Sequence, residues 1–340
     1  MVVLKNDHLL RRAFVESDNL DPLFEGIEIL TGFSIERLLI DTERKGTRDY
    51  YDSQVPPEVK DMVRRHQLSF ESVCDALETI NRVYGLGRFD VGNYRYDDDD
   101  EDFMTVVGHD LYSVPLVAGD IVSAAEAVVG RYLRITHKEI SPGVFEMTAS
   151  ASGAPLEPSG MLERKEYHLR EGDIVLEKCS TCGGPAALSE LKWKIDRGII
   201  RSAPTGRRIA ILEPSVLDPV FEELEKELGE TIPRVVVEAQ RRFTKTGFYS
   251  VDEISDEKRF RDQLALRGMG NLREFSMDRK GMRLRLDNVC MPLMVLGMIQ
   301  GLFEMAFDKE SAVEWELSEG GDLRAEITPL FTQFLSASSL

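Results

Sequence analysis

The segment EKCSTCGGP puts Cys179 and Cys182 three residues apart on a glycine-rich turn. Two thiolates at that spacing can grip one tetrahedral metal ion while backbone amides point at the sulfurs, which is the chemistry of half a zinc site. A full site needs two more ligands, and the sequence holds neither a second CxxC nor an HxxxH. His168, eleven residues upstream, is the ligand candidate nearest in sequence; Cys74, Cys290, His109, His137 or the same pair from a second copy of the chain are the others. Zinc is the cofactor this pattern suggests, on Cys179, Cys182 and His168. A redox dithiol is the weaker alternative, because such a pair normally opens a helix after a strand and Gly183-Gly184-Pro185 suits that poorly.

Other short motifs carry less. The acidic run Asp97 to Asp102 lacks the glycine and the closing glutamate of a calcium loop, so it reads as a solvated turn. Thr205-Gly206-Arg207-Arg208 lacks the Lys-Ser/Thr ending of a phosphate loop and reads as a hairpin turn with exposed arginines. The five histidines are scattered, and no Ser or Cys stands in a nucleophile elbow, so no triad is expected.

The elements that must position these residues come in a repeated order. Leu20-Asp21-Pro22 matches Leu217-Asp218-Pro219, and the same spacing carries Phe24 onto Phe221, Ile35 onto Ile232 and Arg44 onto Arg241. Further on, Gly85-Leu86-Gly87 pairs with Gly268-Met269-Gly270, Pro115-Leu116 with Pro292-Leu293, Gly119 with Gly297 and Glu126 with Glu304. The spacing shrinks along the chain, as it must if the first copy carries extra loop residues. Each copy reads as a short hairpin, helices, two strands, an apolar helix and a closing hairpin whose alternation, as in VEWELS, is that of a half-buried antiparallel strand. Asp21 and Asp218 are expected as helix N-caps with Pro22 and Pro219 at the first helical position. The fold class expected is α+β: a first copy over 1–150, an insert with the Cys knuckle over 151–197, a second copy over 198–330 and a tail over 331–340.

The helices near 115–130 and 292–307 are apolar almost all round and must be buried. Their glutamates, Glu126 and Glu304, either face one wet edge or meet an arginine or a ligand hydroxyl inside. The second copy is richer in Met and Phe, side chains that can surround a varied guest, whereas Ala118, Ala124 and Ala125 in the first suggest close packing. A ligand pocket is therefore expected in the second copy, lined by Phe221, Met294, Met298 and Phe303, with Arg241 or Glu304 as polar anchor.

Composition narrows the class. The chain has 340 residues, 42% hydrophobic and 30% charged, with a formal charge of −18 that repels nucleic acid and anionic lipid. No window approaches a membrane span, and the N-terminal residues lack a signal peptide's apolar run, so a cytoplasmic setting with reduced thiols is expected.

The run RGIIRSAPTGRRIAILEPSVLDPVFEELEKELGETIPRVVVEAQRRF resembles the effector-sensing region of phenol- and toluene-responsive transcriptional activators. The later PLMVLGMIQGLFEMAFDKESAVEWELS is similar to the 4-vinyl reductase domain that follows it there, and the first copy repeats both halves more faintly. The resemblance implies a small-molecule-binding fold, usually dimeric, for hydrophobic compounds. The ATPase and DNA-binding modules of such activators are missing here, and so are the zinc-binding cysteines that end the usual 4-vinyl reductase domain. The chain is accordingly expected to be a non-enzymatic protein that binds or senses a hydrophobic or aromatic compound, acting as a homodimer or through a protein partner and without nucleic acid or membrane. The alternative is a metal-dependent enzyme, or an assembly factor for one, whose insert holds zinc or an iron–sulfur cluster; a ligand-free scaffold is a third possibility.

Overall fold

The structure, a computed structural model, describes residues 11–152, 169–318 and 320–330. The first strand of the expected N-terminal hairpin, His168 and the tail 331–340 lie outside them. The described chain forms two compact units, one from residues 11–152 with 176–233, the other from 169–175 with 234–330. Both are α+β, with antiparallel sheets.

The first unit runs β1 (Ala13–Glu16), α1 (Leu20–Thr31), α2 (Glu36–Gln54), α3 (Pro57–Arg64), α4 (Phe70–Tyr84), β2 (Arg88–Arg95), β3 (Phe103–His109), α5 (Val114–Val129), β4 (Leu133–Ser141) and β5 (Val144–Ala151), then β6 (Leu191–Lys194), β7 (Ile199–Ser202), β8 (Arg208–Leu212) and α6 (Pro214–Leu228). One sheet has the order β2-β3-β5-β4 and another β1-β8-β7-β6. The β7–β8 hairpin turns where Pro204-Thr205-Gly206 stands, with Gly206 at φ 71°. Its arginines are not exposed as expected. Arg208 is buried and donates to the carbonyls of Leu111 (2.7 Å) and Gly85 (3.0 Å), and burial pulls its pKa down to about 10.

The second unit takes up α7 (Ile232–Phe243), whose first two residues belong to the first unit, and continues α8 (Asp252–Ser255), α9 (Glu257–Leu266), β9 (Asn271–Asp278), β10 (Gly281–Asp287), α10 (Pro292–Phe307), β11 (Ser311–Leu317) and β12 (Leu323–Pro329). Its sheet order, β9-β10-β12-β11, is that of β2-β3-β5-β4. The registers coincide too. At the spacing that carries Glu126 onto Glu304, the pair Thr105↔Thr148 falls on Arg283↔Glu326 and Leu133↔Ala151 on Ser311↔Pro329. Alternation makes each sheet one-sided: Leu323, Ala325 and Ile327 of β12 are buried while the residues between them are exposed.

The helix starts differ from expectation. Asp21 does not cap its own helix; its carboxylate accepts from Ser113 Oγ (2.6 Å) and Val114 N (3.3 Å), at the start of α5. The free amides at a helix N-terminus take an acceptor wherever the fold supplies one. In the second copy α6 already begins at Pro214, so Asp218 and Pro219 lie inside the helix.

In both units an arginine-bearing helix lies tightly against the apolar helix, and a glycine makes room for it. A Cβ on Gly119 of α5 would stand 2.7 Å from Ile40 O and from Glu43 Cβ of α2. One on Gly297 of α10 would stand 2.4 Å from Val237 O and 2.5 Å from Gln240 Cβ of α7. Neither glycine can carry a side chain without moving a helix.

Candidate functional site

Glu126, near the end of α5, is almost wholly buried, and it does not face water. Arg44 of α2 grips it with both Nε (3.0 Å to Oε2) and Nη2, Arg48 Nη1 adds a bond at 3.1 Å, and the backbone amide of Leu133 donates at 2.7 Å. The ring of Tyr132 lies under the Arg44 guanidinium, 3.8 Å from its centroid. The second unit repeats this. Arg241 Nη1 (2.5 Å) and Lys245 Nζ (2.7 Å) bind Glu304, and Ser311 N donates to it at 2.9 Å. Each carboxylate thus ties three elements together, and charge with satisfied acceptors makes its burial tolerable. The expected anchors Arg241 and Glu304 are brought together, but on each other and on Glu238, Lys245 and Glu310.

Three cavities are described, all in the first unit. The most polar one measures about 80 Å³, and its walls include Arg12, Glu43, Tyr51, Tyr112, Asp120 and Glu213. A second, of about 60 Å³, is apolar, with Phe70, Cys74, Phe89, Met104, Val106 and Ile121 in its walls. Tyr51, Asn81, Leu86 and Asp120 line both, so one wall of side chains separates them. The third is apolar and holds about 20 Å³.

The polar cavity has an unusual charge inventory. Glu43 of α2 is 6% exposed; its carbonyl accepts from Thr47 Oγ1, while its carboxylate has no hydrogen-bond partner among the described residues. Burial, then the charges of Asp120 and Glu213, push its carboxyl well above the usual range. Asp120 of α5 lies 3.5 Å from the Tyr51 hydroxyl; burial pushes it up to about 7 against hydrogen bonds from Tyr51, Thr47 and Tyr112. The one cation in the wall, Arg12, is committed to Glu213 at 2.5 Å and lies over the Tyr84 ring. Such a chamber can hold a group that donates hydrogen bonds or carries positive charge, next to apolar space for its body.

None of these cavity residues was anticipated from sequence. The available signal was Asp120, a charge inside the apolar run LVAGDIVSAAEAVV. Of the expected ligand residues, Met294, Met298 and Phe303 are buried on α10 in the second unit, and Phe221 is buried on α6 in the first.

Cys179 and Cys182 stand on a tight turn: Cys179 N donates to Gly184 O (2.7 Å), Gly183 N to Cys179 O (2.9 Å), and the amides of Cys182 and Thr181 lower the Cys179 pKa. Both thiols are free.

No family model matches the chain, and no curated protein matches it. Solved structures of H-NOX domains resemble it in part. One is a Cs H-NOX mutant carrying 4-cyano-L-phenylalanine, at 18% identity over 43% of this chain and 86% of that one, with a TM-score of 0.27. Another is a mutant of T. tengcongensis H-NOX, at 17% identity over 43% and 87%, TM-score 0.26. A third is an oxygen-binding H-NOX domain related to soluble guanylate cyclases, at 17% over 36% and 76%, TM-score 0.23. At these values the likeness carries no information about a ligand.

The expectation of zinc is corrected. Among the described residues no group of three or more His, Cys, Asp or Glu is placed to hold a metal ion, and His168 lies outside them. A two-thiol knuckle alone leaves half of a tetrahedral shell unfilled. No helix among the described residues is long and apolar enough to cross a membrane.

Proposed function

We propose that the chain is a small-molecule-binding protein of sensor type, with the ligand held in the paired cavities of the first unit. The observation that carries this is the unpartnered, buried Glu43 facing a polar cavity that shares a wall with an apolar one. A purely structural core has no use for a buried carboxylate without a partner, because it loses hydration and gains nothing. The compound would be hydrophobic or aromatic in its body. The tandem origin of 1–150 and 198–330 belongs to the same proposal; coincident registers and the repeated Arg–Glu ties support it. Action as a homodimer or through a protein partner, in the cytoplasm, completes it.

Heme, named for H-NOX structures, does not fit the residues present. No histidine lines any of the three cavities, the larger two measure only about 60 and 80 Å³, and burial pushes the Cys74 thiol up to about 12, far from the thiolate that ligates iron.

Thermal-shift screening of the intact chain with substituted phenols, benzyl alcohols and aryl amines tests the proposal. Compounds should raise the melting temperature of wild type, and Ala124→Phe, which fills the apolar cavity, should abolish the response while still melting cooperatively. A wild type that answers no compound, or a filled variant that answers equally, refutes it.

A further inference from the structure

From this small-molecule reading, on which it rests, we infer that the first unit recognises an organic ammonium, its charged nitrogen held between Glu43 and Asp120 and its apolar body in the neighbouring cavity. The walls of the polar cavity present three carboxylates, Glu43, Asp120 and Glu213, against one guanidinium, Arg12, which Glu213 already holds. A carboxylate ligand would bring one more acceptor to a wall already rich in them, and an alcohol could not balance the charge of Glu43 or Asp120 once either ionises. An ammonium offers up to three donors and one positive charge, which matches what the chamber lacks. Tyr50, Tyr51, Tyr84 and Tyr112 are also in the wall, Tyr84 with its ring already under Arg12, and aromatic faces attract desolvated cations.

The second unit supplies an independent argument. At the spacings that superpose the two arginine–glutamate ties, Glu43 falls on Gln240 and Asp120 on Met298. The same close pair of helices therefore forms with neutral side chains at both places, down to the glycine contact of Gly297 with Gln240. The fold does not require the two carboxylates, and in the first unit they line the same cavity.

Size sets the ligand class. An apolar cavity of about 150 Å³ admits benzene, so spaces of about 80 and 60 Å³ separated by the side chains of Tyr51 and Asp120 suit a small amine, with one ring or a short alkyl chain, once those side chains turn aside. Binding should be proton-linked. Burial raises both carboxyls, and an ammonium favours their ionised forms, so its affinity should increase as pH rises through about 7. The other titratable groups facing the site are Arg12, Glu213 and the four tyrosines, and burial raises Tyr50, Tyr51 and Tyr112, which stay neutral across that range.

Calorimetric titration of the intact chain with benzylamine, benzyl alcohol and benzoate, which share a ring and differ in headgroup, tests this. Benzylamine should bind at least tenfold more tightly than the other two at pH 8 and lose about tenfold between pH 8 and pH 5.5. Glu43→Gln, which copies the second unit, should keep its melting transition and lose the preference for the amine; Asp120→Asn serves if that variant is unstable. Equal or tighter binding of the alcohol or benzoate overturns the ammonium while leaving small-molecule binding intact. Benzylamine binding that is unchanged in Glu43→Gln also overturns it. No binding of any of the three removes both.

Discussion

The two units build the same frame and furnish it differently. In each, an arginine and a second cation one helical turn later hold a buried glutamate whose carboxylate also receives the first amide of the next strand. Close beside the tie the likeness ends: the first unit has Glu43 and Asp120, the second Gln240 and Met298. The difference separates what the frame needs from what it carries. A group kept in both places holds helix to strand; a costly group kept in one place serves something that place alone does.

That comparison can be broken most forcefully at the shared tie. Arg44→Met leaves Glu126 buried with Arg48 as its remaining cation, and should lower unfolding stability by about 3–5 kcal/mol in urea titrations. Arg241→Met should have a smaller effect, because the cation that remains there, Lys245, is more exposed than Arg48 and lets water reach the carboxylate more easily. Losses under about 1 kcal/mol for both would show that the ties do not hold the frame. Next comes the helix approach. Gly119→Ala and Gly297→Ala should each cost about 1–3 kcal/mol, the second more, since its Cβ meets a backbone oxygen at the shorter distance. Equal melting of both variants and wild type would mean that the helices shift freely.

The units should also part in their response to pH. Asp120 titrates near 7 in the folded chain and near 3.9 unfolded, so below about pH 4 it is protonated in both states and takes nothing from stability. As pH rises to about 7 the unfolded state releases its proton first, and stability is lost across that window and stays lost above it. Asp120→Met, which copies Met298, should flatten the fall in melting temperature from pH 5 to pH 8; an unchanged slope would show that Asp120 is not the group responsible. The smallest effect is chemical. Iodoacetamide at pH 7.5 should label the exposed Cys182 and then Cys179 well before Cys74, whose thiol burial holds near 12, and Cys290, which is buried. Early labelling of Cys74 would mean that the apolar cavity opens readily to solvent.

Strands and apolar helices were legible because their patterns are local. VEWELS alternates, PLMVLGMIQGLFEMAF is apolar all round, and both stand where those patterns place them. The repeat was legible through Pro and Gly, and it paired Arg44 with Arg241 and Glu126 with Glu304 without revealing that each arginine binds the glutamate of its own unit. The polar cavity was not legible. ERLLIDTERKGTRDYYDSQ reads as a solvated helix, yet Thr42, Glu43, Arg44 and Thr47 are buried, because α5 and α6 cover them. Polar side chains read alike in sequence whether water or other polar groups surround them. Asp218 was misjudged for a related reason: Pro219 suggested a helix start, but a helix tolerates proline where neighbouring packing compensates for the lost bond.

The strand pairing Ala13↔Leu212 bears on how the protein is made. A ribosome delivers the chain from its N-terminus, so β1 emerges early and must wait for β8, which is translated after both the β2–β5 sheet and the Cys knuckle. At about 5–20 residues per second that wait is on the order of 10–40 s. Through that time one edge of the nascent first unit stays open, and α2 lacks α6 over its buried polar face. A nascent chain stalled before β8 should thus be sensitive to protease, and one stalled with α6 clear of the exit tunnel should resist it. Completion of the first unit is a timed event, set by the arrival of residues near position 230.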